Sequence, residues 1–155
     1  MRFSMKAFII SLTLAFSSLS LADWTLQQPS NIQFLTSKNT HITEIQSFKK
    51  FDAFINNSGL AKFTIDLASI DTLIGIRNQR TKEHLFEISS FSQAGFEAEI
   101  PATIFNKVKS GQQIRFELKG KISLNGGQTP AHCQVMISPS EDNTITVTNV
   151  RPILI

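Results

Sequence analysis

Three histidines, two aspartates and one cysteine are the side chains from which catalysis or metal chemistry would have to be built. His41, His84 and His132 lie far apart in the chain and on different expected elements. Three imidazoles can hold zinc, but no ligand spacing argues for it here, so no metal site is expected. Asp66 and Asp71 could pair as carboxylates for acid–base work. They flank the end of an expected strand, however, and are better suited to capping the helical turn that follows. Cys133 is the single cysteine, so the chain cannot make an internal disulfide. Val135 and Ile137 follow it at period two, the pattern of a small buried residue rather than a reactive thiol. The sequence has no Gly-Xaa-Ser-Xaa-Gly elbow, no phosphate-cradling glycine loop and no Cys-Xaa-Xaa-Cys pair. No catalytic residue is expected, and the chain reads as something other than an enzyme.

Aromatic usage carries more information. Once Phe3, Phe8 and Phe16 of the N-terminus are set aside, the chain keeps ten Phe and one Trp, and it has no Tyr. A buried Tyr hydroxyl wants a partner, whereas Phe offers apolar surface alone. An interior of Phe and branched aliphatics suits a hydrocarbon ligand and suits a packed core equally.

The elements that would position these side chains are mostly strands. From Gln112 to Leu124, Ile114, Phe116, Leu118, Gly120, Ile122 and Leu124 share one parity, while Arg115, Glu117, Lys119 and Lys121 share the other. Successive strand side chains point to opposite faces, so this is a long strand with one dry side. Phe63, Ile65 and Leu67 alternate with Lys62, Thr64 and Asp66; Ala94, Phe96, Ala98 and Ile100 alternate with Glu97 and Glu99. Cys133, Val135 and Ile137 repeat the pattern, as do Ile145 and Val147 among threonines. Asn56-Asn57-Ser58-Gly59, Asn125-Gly126-Gly127 and the stretch from Ser138 to Asn143 read as hairpin breaks. Between Asp71 and Glu87 the alternation stops. Leu73, Ile76, Arg80 and His84 recur at steps of three and four, which predicts one short helix despite Gly75. About eight antiparallel strands of this kind close naturally into a barrel, with a β-sandwich as the other arrangement.

The N-terminus is a leader. Arg2 and Lys6 precede an apolar run from Ala7 to Phe16, and Ser20-Leu21-Ala22 supplies small residues at the cleavage positions. Cleavage after Ala22 is expected, with residues 23–155 left as one domain exported to the periplasm and no membrane-spanning segment retained. Arg2 and Lys6 leave with the leader, so 13 of the 15 basic residues face 12 acidic ones, a net charge of +1. Nothing in that balance calls for nucleic acid.

The stretch Thr64-Ile65-Asp66-Leu67-Ala68-Ser69-Ile70-Asp71-Thr72, followed by Ile76-Arg77-Asn78-Gln79-Arg80 and Leu85-Phe86-Glu87, resembles the signature of the YceI-like family. Trp24, Ile32 and Phe34, Phe48 and Phe51, the Gly120 to Pro130 region and the closing Pro152 to Ile155 agree with it. The resemblance implies an extended lipocalin-like antiparallel barrel with a helix near one end and an apolar tunnel. Family members bind polyisoprenoids, isoprenoid quinones or other long-chain amphiphiles, so no cofactor is implied beyond such a bound isoprenoid. Carried over, the tunnel lining is Phe34, Phe63, Ile65, Leu67, Phe96, Ile114, Phe116 and Leu118, with Phe48, Phe51 and Phe86 closing it. Arg77, Asn78 and Arg80 either meet a ligand headgroup or lock the helix to the barrel. Leu124 to Pro130 and Phe91-Ser92 depart from the family pattern, at what would be the tunnel mouth. A homodimer is left open.

The expected function is therefore a periplasmic carrier of a long-chain lipid or isoprenoid. A filled barrel that engages an envelope protein is the alternative. An enzyme acting on a lipid would need His84 beside Asp71 at an open pocket.

Overall fold

Alternating apolar and polar residues become a curled antiparallel sheet that forms a half-barrel. The computed structural model describes residues 24–38 and 42–153; the expected leader with its expected cleavage after Ala22, His41, Leu154 and Ile155 lie outside the described residues. The strands are β1 (Trp24–Thr25), β2 (Gln33–Lys38), β3 (Ile42–Phe48), β4 (Phe51–Ile55), β5 (Leu60–Asp66), β6 (Ile70–Asp71), β7 (Gln93–Glu99), β8 (Ile114–Leu124), β9 (Gly127–Pro139) and β10 (Ile145–Asn149). Seven of them form the main sheet in the order β1-β4-β5-β7-β8-β9-β10, and β2-β3-β6 form a smaller one. Among the described residues the two α-helices are α1 (Gly75–Arg80), which widens into a π turn over Thr81–Leu85, and α2 (Ala102–Lys109). One short helix was legible from spacing; α2 is an addition to that reading.

Register decides which side chains face inward. β8 and β9 pair from Ile114 opposite Ile137 to Leu124 opposite Gly127. Their turn, Asn125-Gly126, has φ of 49° and 74°, the left-handed pair that a two-residue hairpin needs. Phe96 of β7 stands opposite both Phe63 of β5 and Ile122 of β8, and Leu118 stands opposite Cys133. The apolar parity of each strand thus forms one continuous concave face. On the outer face Lys62, Glu97 and Lys121 alternate in sign across three neighbouring strands. Gly120 is required where it stands: a Cβ there would come within 2.6 Å of the Phe96 ring and 2.5 Å of the Glu97 carbonyl oxygen.

The concave face is packed at two separate places. At one, α2 lowers Phe105 and Val108 onto Ala98, Leu118, Cys133, Val135 and Ile137. Pro101 opens this helix and Gly111, at φ 86°, ends it with its N–H on the Val108 carbonyl. At the other, Leu67, Ile70, Phe48 and Phe86 pack together beneath the small sheet. The edges of the half-barrel approach one another near the first core, where Trp24 Nε1 donates to the Asn143 carbonyl at 3.3 Å.

Candidate functional site

The sequence-derived lining residues fall into three groups in space. Phe34, Phe48 and Phe86 form a triangle, with ring centroids 5.3 Å (Phe34–Phe48), 5.9 Å (Phe48–Phe86) and 6.4 Å (Phe34–Phe86) apart. β2, β3 and the end of the α1 segment supply one ring each. Leu67 and Ile65 pack into the same core, and Leu67 is only 1% exposed. Leu118, Ile114, Phe116 and Phe96 belong to the α2 core. Phe51 and Phe63 make a third group, a half-buried cross-strand neighbour pair with centroids 5.6 Å apart. Phe51 therefore stands beside Phe63 on the sheet, away from the ring triangle of Phe48 and Phe86.

Polar contacts hold α1 against the rest of the molecule. Asn78 Oδ1 accepts from the Thr72 N–H at 2.8 Å and from the Thr72 hydroxyl at 2.6 Å. Thr72 is 5% exposed, so that amide satisfies a donor that water does not reach. Arg77 Nη1 lies 2.7 Å from Glu44 Oε2 of β3. Asn125 of the β8–β9 turn donates to the Leu85 carbonyl at 3.0 Å. Arg80 is exposed on the outer side of the helix. Asp66 caps the Leu67–Ser69 turn by accepting from the Ala68 N–H. Asp71 accepts from the Leu73 N–H at 2.9 Å and meets Lys49 at 3.1 Å; that N–H and then that ammonium hold its carboxyl below the usual carboxylate value.

The arrangement offers little acid–base chemistry. His84 is exposed beside Glu83 at 3.9 Å, and His132 lies 3.5 Å from Glu117 on the outer face. Neither stands beside Asp71. Among the described residues no three His, Cys, Asp or Glu side chains gather into a metal-holding group. Burial pushes the Cys133 thiol up from its usual value.

A family model for the YceI-like domain matches residues 24–151. The chain belongs to the YceI-like family. Its fold is similar to that of a polyisoprenoid binding domain from Saccharophagus degradans implicated in plant cell wall breakdown, which is 27% identical, with a TM-score of 0.73 over 81% of this chain and 72% of that one. More distant solved structures include Burkholderia cenocepacia BcnA (22% identity, TM-score 0.47, 69% of this chain and 66% of that one) and a Campylobacter jejuni YceI protein (14%, 0.47, 79% and 71%). No curated protein matches the chain.

Two of the pockets on the described surface of this YceI-like chain are lined by residues other than the aromatic and aliphatic set above. One, of about 330 Å³, lies between Trp24, Val108, Lys109 and the β9–β10 turn. The other, of about 280 Å³, lies between Lys49, Lys50, Ser69, Asp71 and Asn78. What the two cores leave on the concave face of this YceI-like chain is the half-buried pair Phe51 and Phe63, with Phe96 opposite Phe63 at the margin of the α2 core. Sequence reasoning missed Phe105 and Val108, which pack with Trp24 at one end. Ile104, Phe105 and Val108 at helical steps between Pro101 and Gly111 were the available signal for α2.

Proposed function

We propose that the chain is an exported periplasmic carrier that holds a long apolar chain along its concave face. The ligand class is a polyisoprenoid, an isoprenoid quinone or a similar amphiphilic lipid, and no chemical step is performed on it. The observation that carries this reading is the half-buried pair Phe51 and Phe63, with Phe96 at its margin, on an inner face otherwise packed at two places. Phe surface binds hydrocarbon without polar demands, at about 25 cal/mol per Å² removed from water. Family membership and the polyisoprenoid binding domain among the structural relatives support the same reading. Selectivity among hydrocarbons of similar width is weak on this account, because one methylene is worth only ~0.8 kcal/mol.

One observation favours a second reading. Leu67, Phe48, Phe86 and Leu118 of the expected lining are buried in the two cores, as a filled barrel that engages an envelope protein would have them. Native mass spectrometry of protein purified without detergent, paired with analysis of its organic extract, separates the two. A near-stoichiometric long-chain isoprenoid or quinone establishes the carrier. A clean ligand-free mass with an empty extract sinks it in favour of the interaction module.

A further inference from the structure

The apolar face that the two cores leave is short. Phe51 and Phe63 stand 5.6 Å apart, and Phe51 lies opposite Ile65, which already packs against the second core. A long hydrocarbon needs more surface than this, so on the carrier reading one of the two packed ends opens to admit it. The two ends differ in what opening would undo. α2 sets Phe105 and Val108 deep in the first core, at 4% and 3% exposure. At the other end the segment from Ile74 to Phe86, which spans α1 and the π turn, buries Phe86 alone.

That segment is one piece with a boundary on either side. Within it the Asn78 N–H donates to the Ile74 carbonyl and the Phe86 N–H to the Thr81 carbonyl, each at 3.0 Å. Leu73 before it has φ 63° and Glu87 after it φ 49°, left-handed values that are uncommon and unfavourable for residues with a side chain. Beyond these two points the chain is anchored separately. The Leu73 N–H donates to the Asp71 carboxylate, and the N–H groups of Ser90 and Phe91 donate to the Glu87 carbonyl. Side chains tie the segment to the rest: Thr72 meets Asn78 and the Ile74 carbonyl, Arg77 meets Glu44, and Asn125 meets the Leu85 carbonyl. One backbone bond, from the Ile88 N–H to the Lys82 carbonyl at 3.0 Å, spans the second boundary. A few directional contacts of this kind give way together far more readily than a packed core does.

We propose that residues 74–86 are a lid that swings as a unit about Leu73 and Glu87. Opening lifts Phe86 from Phe34 and Phe48 and joins those two rings to Ile65, Phe51 and Phe63 as one continuous apolar face. In the closed state Phe86, with its centroid 5.9 Å from Phe48 and 6.4 Å from Phe34, fills the place that the far end of a ligand takes in the open one. Relaxation of Leu73 and Glu87 toward ordinary backbone favours opening; burial of Phe86 and the side-chain ties favour closing. The motion stands on this geometry, and its use as an entry gate rests on the carrier reading.

The test has two readouts on the intact protein. Native-state hydrogen exchange without ligand is expected to show the amides of residues 76–86 exchanging together, at least tenfold faster than those of α2 and with little dependence on low denaturant. Arg77→Ala and Asn125→Gly each remove one tie and raise that exchange several-fold; glycine keeps the left-handed backbone of the hairpin turn at 125. Exchange of the segment only through global unfolding overturns the proposal, and so does fraying that fades residue by residue from one end. Stopped-flow fluorescence with all-trans-retinol, an isoprenoid alcohol, reads entry. Uptake and release both accelerate at least threefold in the two tie variants and keep wild-type rates in Asn106→Ala, an exposed change on α2. Unchanged rates in the tie variants overturn the gate. A lid that opens in exchange while no variant takes up retinol defeats the carrier reading alone. Retinol uptake by a protein whose segment never opens separately defeats this proposal alone.

Discussion

The two helices sit against opposite cores of the same sheet and are held in opposite ways. α2 buries Phe105 and Val108 to 4% and 3% exposure and contributes to its core directly. α1 buries nothing of its own; it hangs on Asn78, Arg77 and the carbonyl of Leu85, and only Phe86, just past it, enters a core. Apolar packing fixes an element by area, whereas hydrogen bonds fix it by a few directional contacts at a net gain of about 1 kcal/mol each. One end of the half-barrel is therefore plugged, and the other carries a fitted but separable piece.

Breaking α2 should cost the most. Phe105→Ala removes a buried ring and its edge-to-face contact with Trp24 at 5.4 Å, with an expected loss of ~3–5 kcal/mol in chemical denaturation. A loss below ~1 kcal/mol would mean the helix is not a structural plug. Phe48→Ala should cost roughly 3 kcal/mol, since two of the rings in its triangle lose a partner. Asn78→Ala strips the partner from the buried Thr72 N–H and should cost about 1–2 kcal/mol. Its distinguishing sign is hydrogen exchange that accelerates across residues 72–80 while β8 and β9 stay protected. Arg77→Ala loses one part-exposed ion pair and should change stability by less than ~1 kcal/mol. The smallest effect is acidic. Asp71 has a folded value below its ordinary 3.8, so its contribution is complete above that pH and disappears as pH falls through the lower value. An Asp71→Asn variant should lose that acid-side slope in a pH series of melting curves.

Much of this fold was legible because strand side chains alternate strictly. β8 and β9 were visible as parity, and the turn chemistry of Asn125-Gly126 fixed their register. α2 was missed because eight residues containing three apolar positions leave a short signal, which a strand before it and a strand after it obscure. Ile76 was legible as helical spacing but not as exposed, and Leu73, counted in the same period, stands before the helix at φ 63°. Periodicity reports that one face differs from the other, and only tertiary packing tells which face meets water. The lining set shows the same limit. Parity placed Leu118 and Phe63 on one surface, yet α2 covers Leu118 and leaves Phe63 half open, a difference that arises from a neighbour distant in sequence.

Cys133 sits inside the α2 core at 3% exposure, paired across the ladder with Leu118. Its thiol is screened from any reagent while α2 is seated and becomes reactive only when that end opens, so its chemistry counts openings. Slow alkylation in the native protein would run at the rate or the equilibrium of those excursions, depending on reagent concentration. A single thiol thus serves as a built-in clock for the plugged end, read by mass.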